Sequence, residues 1–170
     1  MKKVVFLMML AAFFQQPAVS QTTNYSAYSL ILINVAKYAE WPDNGSEHFL
    51  IAVVGKSKVY DELSKKQGLK VGSKAVAVVQ VNDIGEISGT PNVVYISDNK
   101  SSLIDGLNAR YGSEPVMLVG EREGLHRKGA HMSFIIVDDT KLRFDINKTE
   151  MLKRNLKISN NILTIANEVI

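Results

Sequence analysis

Four short stretches of this chain hold residue types that can do chemistry, and their spacing decides what chemistry that is. Val53-Val54-Gly55-Lys56-Ser57 ends like a phosphate-binding loop. The full pattern needs a glycine five positions before Gly55, where Leu50 stands, so the nest of backbone amides is not expected and a plain strand-to-helix turn is. Gly120-Glu121-Arg122-Glu123-Gly124 holds two carboxylates two residues apart. Acid–base work by such a pair needs burial to separate their pKa values, and a loop with Arg122 between them reads as a solvated surface turn. Loops after parallel strands are nevertheless where open α/β sheets bind ligands, which keeps this stretch as a ligand-site candidate. His48, His126 and His131 have no metal spacing with one another. His126 and His131 with Glu121 or Glu123 would form a ligand fragment, but an incidental pairing is the expectation. Asp138-Asp139 opens like a calcium loop and lacks every later ligand. No Gly-x-Ser-x-Gly elbow supplies a nucleophile. The expectation is no catalytic residue, no metal and no cofactor.

A second set of residues suits protein recognition. Trp41 is the only tryptophan and sits beside Tyr38; Arg143 is a charged residue between two apolar ones. Tryptophan, tyrosine and arginine dominate binding hot spots. Arg143 is expected on an exposed interaction face, with Trp41 mainly a core anchor that partly reaches the surface.

The elements that must position these residues are legible from periodicity. Tyr28, Ile31, Leu32, Val35 and Tyr38 or Ala39 recur at helical spacing, and the helix is expected to stop at Trp41-Pro42. Phe49–Val54, Ala75–Val81, Val93–Ile96 and Val116–Val119 read as strands, and the first of them is a continuous apolar run, as expected of a strand buried on both faces. Val59–Gln67 and a segment from Ser97 to Tyr111 read as helices between them. Gly120–Gly129 is expected to be a polar loop with one helical turn. Met132–Val137, the turn Asp138-Asp139-Thr140 and Lys141–Asn147 form an antiparallel hairpin. In its second strand Leu142, Phe144 and Ile146 should face inward, and Lys141, Arg143 and Asp145 outward. Asn147 is placed to cap the next helix, with Glu150 as its capping-box partner. The fold class is therefore α/β: a single compact domain, a mostly parallel sheet flanked by helices, with an antiparallel C-terminal hairpin.

Composition narrows the rest. Lys2-Lys3, the apolar run Val4–Phe14 and Ala18-Val19-Ser20 have the layout of a secretory signal, so residues 1–20 are expected to be cleaved and residues 21–170 to form the domain. That apolar run is too short to span a bilayer. The leader takes two of the 20 basic residues and none of the 17 acidic ones, leaving a net charge of +1. No clustered basic face suggests nucleic acid. Cysteine is absent, which excludes thiol catalysis and thiol switching.

The order of these motifs resembles the YfiR family of small periplasmic proteins. The residues that carry the likeness are Lys37-Tyr38-Ala39-Glu40-Trp41-Pro42, Phe49–Gly55, Val93–Ser97, and a C-terminal cassette. The cassette comprises Gly129, Met132 and Phe134, then Arg143-Phe144-Asp145-Ile146-Asn147, then Leu156-Lys157-Ile158-Ser159 and Leu163. The resemblance implies a compact α/β domain, often dimeric, that works by binding. Its partner would be a membrane-anchored diguanylate cyclase or sensor kinase, restrained through the extracytoplasmic sensor region. Well-known members of that family carry disulfides; this chain has no cysteine, so redox control does not carry over. The leading expectation is a periplasmic, non-enzymatic regulator with Arg143, Trp41 and Tyr38 as partner contacts and without direct membrane insertion. The alternative is a small exported hydrolase or small-molecule-binding protein using the loops after the parallel strands.

Overall fold

Helix α1 (Tyr25–Lys37) begins where the Asn24 side chain accepts the Ala27 N–H at 3.2 Å. The computed structural model describes residues 24–170, so the expected leader lies outside the described residues. The helix ends at Lys37, ahead of Trp41-Pro42, because Ala39–Glu40 (β1) is drawn into antiparallel pairing with Lys157–Ile158 (β9). The stop is thus set by a strand from the far end of the chain.

The remaining strands are β2 (His48–Val54), β3 (Lys70–Val71), β4 (Lys74–Val81), β5 (Val93–Ile96), β6 (Met117–Gly120), β7 (Met132–Val137), β8 (Lys141–Ile146) and β10 (Glu168–Val169). They form one eight-stranded sheet in the order β10-β8-β7-β6-β5-β2-β4-β3. The central pairs are parallel, while β3–β4 and β7–β8 are antiparallel. Helices α2 (Val59–Ser64), α3 (Ile104–Tyr111), α4 (Lys148–Lys153) and α5 (Asn160–Ile165) complete the domain. Residues 125–128 supply the single helical turn expected in the loop after β6.

Both faces of the sheet are covered. One core gathers Leu32 and Ile33 of α1, Leu63 of α2, Met151 of α4 and Ile162 of α5 against Phe49, Tyr95, Phe134 and Phe144. The other packs Ile104, Leu107 and Tyr111 against Ala52, Val54, Val94 and Ile96. Residues 51–54 of β2 are buried throughout, as a doubly covered strand requires.

The hairpin departs from expectation at two points. Asp145, expected outward, is only 3% exposed. It is covered because β10 pairs in parallel with Asp145 and Ile146, which also removes that part of β8 from the sheet edge. Lys141 and Arg143 are exposed, Phe144 and Ile146 are buried, and Leu142 is half-buried. The Asn147 side chain accepts the Glu150 N–H at 2.9 Å and so caps α4. Glu150 does not close the capping box; its carboxylate pairs with Lys153 at 2.6 Å instead.

Asn147 has a second task, donating from Nδ2 to the His126 carbonyl at 2.9 Å in the protein interior. Asn147→Ala loses the cap and a buried hydrogen bond together, for an expected cost of about 2–3 kcal/mol. Asn147→Ser keeps a capping acceptor and loses only the bond to His126, so its urea midpoint should fall between those of the other two proteins.

Candidate functional site

The strand order reverses between β2 and β5. From β2 the chain turns through α2 to β4 on one side, whereas from β5 it runs through α3 to β6 on the other. The two exits leave a crevice at the carboxyl ends of these strands, the place where open α/β sheets bind ligands. Here it is a cleft of about 540 Å³, lined by Tyr25, Lys56, Ser57, Asp98, Asn99 and Glu121 among others.

The floor of the cleft is built by local constraints. Gly55 has φ +91°, and a Cβ there would collide with Ser97 and Lys100, so only glycine fits. Its carbonyl accepts from Gln80 Nε2 at 3.0 Å. The Ser97 hydroxyl donates to the Val54 carbonyl at 2.7 Å and lies 2.7 Å from Asn99 Oδ1. The phosphate-loop likeness thus resolves into a tight strand-to-helix turn with no amide nest implied.

Glu121 enters this cleft from the end of β6. The sequence placed it on a solvated turn, but only Arg122 and Glu123 are exposed; Glu121 is half-buried. Burial raises its pKa, partly opposed by the Ser57 and Tyr95 hydroxyls beside it. Even so, Glu121 Oε2 and the Tyr95 hydroxyl lack hydrogen-bond partners among the described residues. Burial, followed by the Glu121 charge, pushes the Tyr95 phenol well above its ordinary range. Asp98, by contrast, is held by Arg122 at 2.8 and 3.3 Å, which lowers its pKa.

The histidines do not gather around Glu121 or Glu123. His131 Nδ1 accepts the Leu118 N–H at 2.8 Å inside the sheet. His126 lies 2.7 Å from Ser133 Oγ through Nδ1 and 2.9 Å from Glu168 Oε2 through Nε2. His126, Asp145 and Glu168 do bring metal-ligand atoms within 4.8 Å of one another. Yet Asp145 stands 3.7 Å from Nδ1 and Glu168 stands against Nε2, so the carboxylates face opposite ring nitrogens. Arg127 already supplies a counter-charge to Glu168 at 2.5 Å and, with His126, lowers its pKa. Asn167 Nδ2 donates to Asp145 Oδ1 at 2.8 Å. This geometry suits a network that fastens β10 to β8 better than chelation of one ion. Its members from β7 and β10, Ser133 and Glu168, left no periodic signal in the sequence.

The recognition candidates fall in two places. Trp41 is half-buried: its Nε1–H donates to the Ala36 carbonyl at 2.8 Å and its ring meets Phe49 edge-on at 4.9 Å. Tyr38 beside it is 55% exposed. Arg143 is exposed on β8 opposite Ile135. No side-chain hydrogen bond, ion pair or cation–π contact joins Arg143 to another described residue.

The motif residues hold the frame. Pro42 lines a second cleft beside Trp41, Gly129 adopts φ +100° against the Asn108 side chain, and Phe134, Phe144 and Leu156 lie in the core. The Ser159 N–H donates to the Tyr38 carbonyl at 3.0 Å, tying α5 to the end of α1.

A family model described as YfiR/HmsC-like matches residues 25–167. No curated protein matches the chain. Among solved structures, a conserved domain protein from Vibrio cholerae O1 biovar eltor superposes with a TM-score of 0.58 at 13% identity. That match takes in 86% of this chain and 60% of the Vibrio protein, so the chain spans less than two thirds of that structure. The ABC domain in complex with L-Trp from Streptococcus pneumonia gives a TM-score of 0.47 at 13% identity, over 72% of this chain and 55% of that one. The Vibrio likeness supports the α/β fold and nothing finer.

Proposed function

The chain belongs to the YfiR/HmsC-like family, and from that premise we propose that it is a periplasmic regulator in cyclic diguanylate signalling. It binds the extracytoplasmic region of a membrane-anchored signalling protein, a diguanylate cyclase or a sensor kinase, and modulates its output without catalysis of its own. The observation that carries this reading is the family match over nearly the whole described domain. On this reading residues 1–20 are a cleaved leader and residues 21–170 the exported domain. Among the described residues no helix is long and apolar enough to cross a membrane, which suits a chain that acts through a partner that does.

Contact falls to Arg143 and Tyr38, with Trp41 behind them. At a net charge near zero, long-range steering is weak, so affinity must come from a few anchors. Arg143 offers an exposed, unengaged guanidinium and Tyr38 an exposed ring. The part of β8 that β10 leaves uncovered, Lys141–Arg143, is also where a second copy would pair to form a homodimer.

A pull-down from solubilised inner membrane with the mature chain should recover a cyclase or kinase. Arg143→Glu is expected to leave the melting temperature unchanged and to weaken that capture at least tenfold. Trp41→Ala should lose about 2–3 kcal/mol of stability, less than a fully buried aromatic does, and lose binding only in consequence. Normal capture by Arg143→Glu, or a fully stable Trp41→Ala, overturns this assignment.

A further inference from the structure

We infer that the cleft beside Trp41, between the end of α1 and the β3–β4 turn, binds a small apolar molecule by its carboxylate, which the Asn92 side-chain amide and the Lys37 ammonium receive. The inference concerns a small ligand and stands independently of the membrane partner proposed above. It rests on a buried donor, on the charge around that donor and on the wall beside it.

Asn92 immediately precedes β5 and is only 2% exposed, yet it lines this cleft at the amino ends of the central strands. Three of its four polar groups are engaged. Its N–H donates to the Leu50 carbonyl at 2.9 Å, its carbonyl accepts the Met117 N–H at 2.8 Å, and its Oδ1 accepts the Leu50 N–H at 3.0 Å. Because the Leu50 N–H needs an acceptor, the side-chain amide cannot be turned over, and Nδ2 is the group left over. No described residue accepts from Nδ2, and it is not sealed from water as the unpartnered Glu121 and Tyr95 oxygens are. A buried amide normally has its donor satisfied, and the space in front of this one is the cleft.

Charge decides what kind of acceptor fits there. Lys37, in the last turn of α1, is exposed and forms no ion pair among the described residues. Lys74 pairs with Asp43 at 2.9 Å, which offsets the one carboxylate that lines the cleft. The surplus is a single positive charge, which matches a monoanion better than a dianion. A carboxylate supplies that charge together with lone pairs for Nδ2 and an ammonium.

The wall calls for an apolar body on that carboxylate. Trp41, Pro42, Phe49 and Val71 form one side of the cleft. The Trp41 ring is held by its bond to the Ala36 carbonyl and by its edge contact with Phe49, so the wall stands before any ligand arrives. Such preorganisation lowers the cost of binding. The volume of about 390 Å³ falls within the roughly 300–1,000 Å³ of small-ligand sites.

The test uses the mature chain and two probes of the same shape, 3-phenylpropanoate and its neutral amide, 3-phenylpropanamide. Trp41 is the only tryptophan in the chain, so its fluorescence reports on this cleft alone. The acid should change that fluorescence in a saturable way, at a concentration at least tenfold lower than the amide requires. Lys37→Gln should weaken binding of the acid at least fivefold, while Lys128→Gln, exposed and outside this cleft, should not. Asn92→Asp keeps the acceptor for Leu50 and replaces the donor, and it should abolish binding of the acid. In the wild-type protein the side-chain 15N signal of Asn92 should move with the acid along the same saturation curve, which decides the donor's role even if Asn92→Asp fails to fold. If neither probe saturates, water satisfies Nδ2 and the inference fails. It also fails if the amide binds as well as the acid, if Lys37→Gln or a folded Asn92→Asp binds normally, or if the Asn92 signal stays where it is.

Discussion

Acidification from pH 7 to pH 5 is expected to cost this protein roughly 2 kcal/mol through one residue, His131, and further acidification more. His131 is fully buried, and burial, reinforced by the Arg154 guanidinium, lowers its pKa to about 3. In the unfolded chain a histidine titrates near 6.5, so the native state binds fewer protons than the unfolded state between those two values. The stabilising contribution is therefore complete above about pH 6.5 and is lost as pH falls towards 3, at about 1.4 kcal/mol per unit. Over the whole window it amounts to roughly 5 kcal/mol, comparable with the total stability of many domains. The Leu118 N–H also donates to Nδ1 at 2.8 Å, a bond that needs that nitrogen unprotonated. Asp43, Asp98 and Glu168 also have lowered pKa values, but their contributions fade only in the carboxylate range. At pH 5 the effect of His131 is thus separable from theirs. Urea midpoints of wild type and His131→Gln at pH 7 and pH 5 measure it, because glutamine keeps an acceptor and does not titrate. The variant should start somewhat less stable and lose about 2 kcal/mol less on acidification. Equal losses in the two proteins would mean that His131 does not control the acid limb.

His131 also shows where sequence reasoning reaches and where it stops. The strands β2, β4, β5, β6, β7 and β8 were legible because each repeats an apolar pattern over several residues, and a buried parallel core demands that pattern. Four strands of two residues, β1, β3, β9 and β10, left no signal, since two residues have no period. Yet β1 ends the first helix and β10 buries Asp145. The candidate site was legible by the same measure. Loops after parallel strands are general ligand positions, and Glu121 lies on one of them. Its burial was not legible, because Tyr95 and Ser57 approach it from elements far away in the chain. A loop of Gly, Glu and Arg reads as solvated unless those approaches are known. Arg143 was readable as exposed because strand alternation sets its direction locally. Tyr38, grouped by spacing with the apolar stripe of the first helix, is instead 55% exposed because that helix ends at Lys37.

The second strand of the hairpin allows the sharpest test of this reading, because neighbouring residues should behave in opposite ways. Phe144 lies across from Phe134 in the antiparallel pair, and Phe134 meets Tyr28 at 4.5 Å and Tyr95 at 6.3 Å between ring centroids. Phe144→Ala removes a buried ring from the closed core that these aromatics share, for an expected loss of about 3–5 kcal/mol. Arg143→Ala, one residue earlier and exposed, should change stability by less than about 0.5 kcal/mol. Strict alternation would place Asp145 with Arg143, and the structure separates them. Asp145→Ala leaves the Asn167 amide without its acceptor and takes the carboxylate away from His126, 3.7 Å distant. The expected cost is roughly 1–2 kcal/mol, because His126 is buried while the Asn167 amide is exposed and regains water. Chemical denaturation of the three variants at pH 7 therefore gives an order of loss: Phe144 largest, Asp145 intermediate, Arg143 near zero. An Asp145→Ala protein as stable as Arg143→Ala would show that β10 does not cover this end of β8 in solution. The network through His126 and Glu168 would then have no part in holding the C-terminal strand, and pairing by a second copy could extend along the whole of β8.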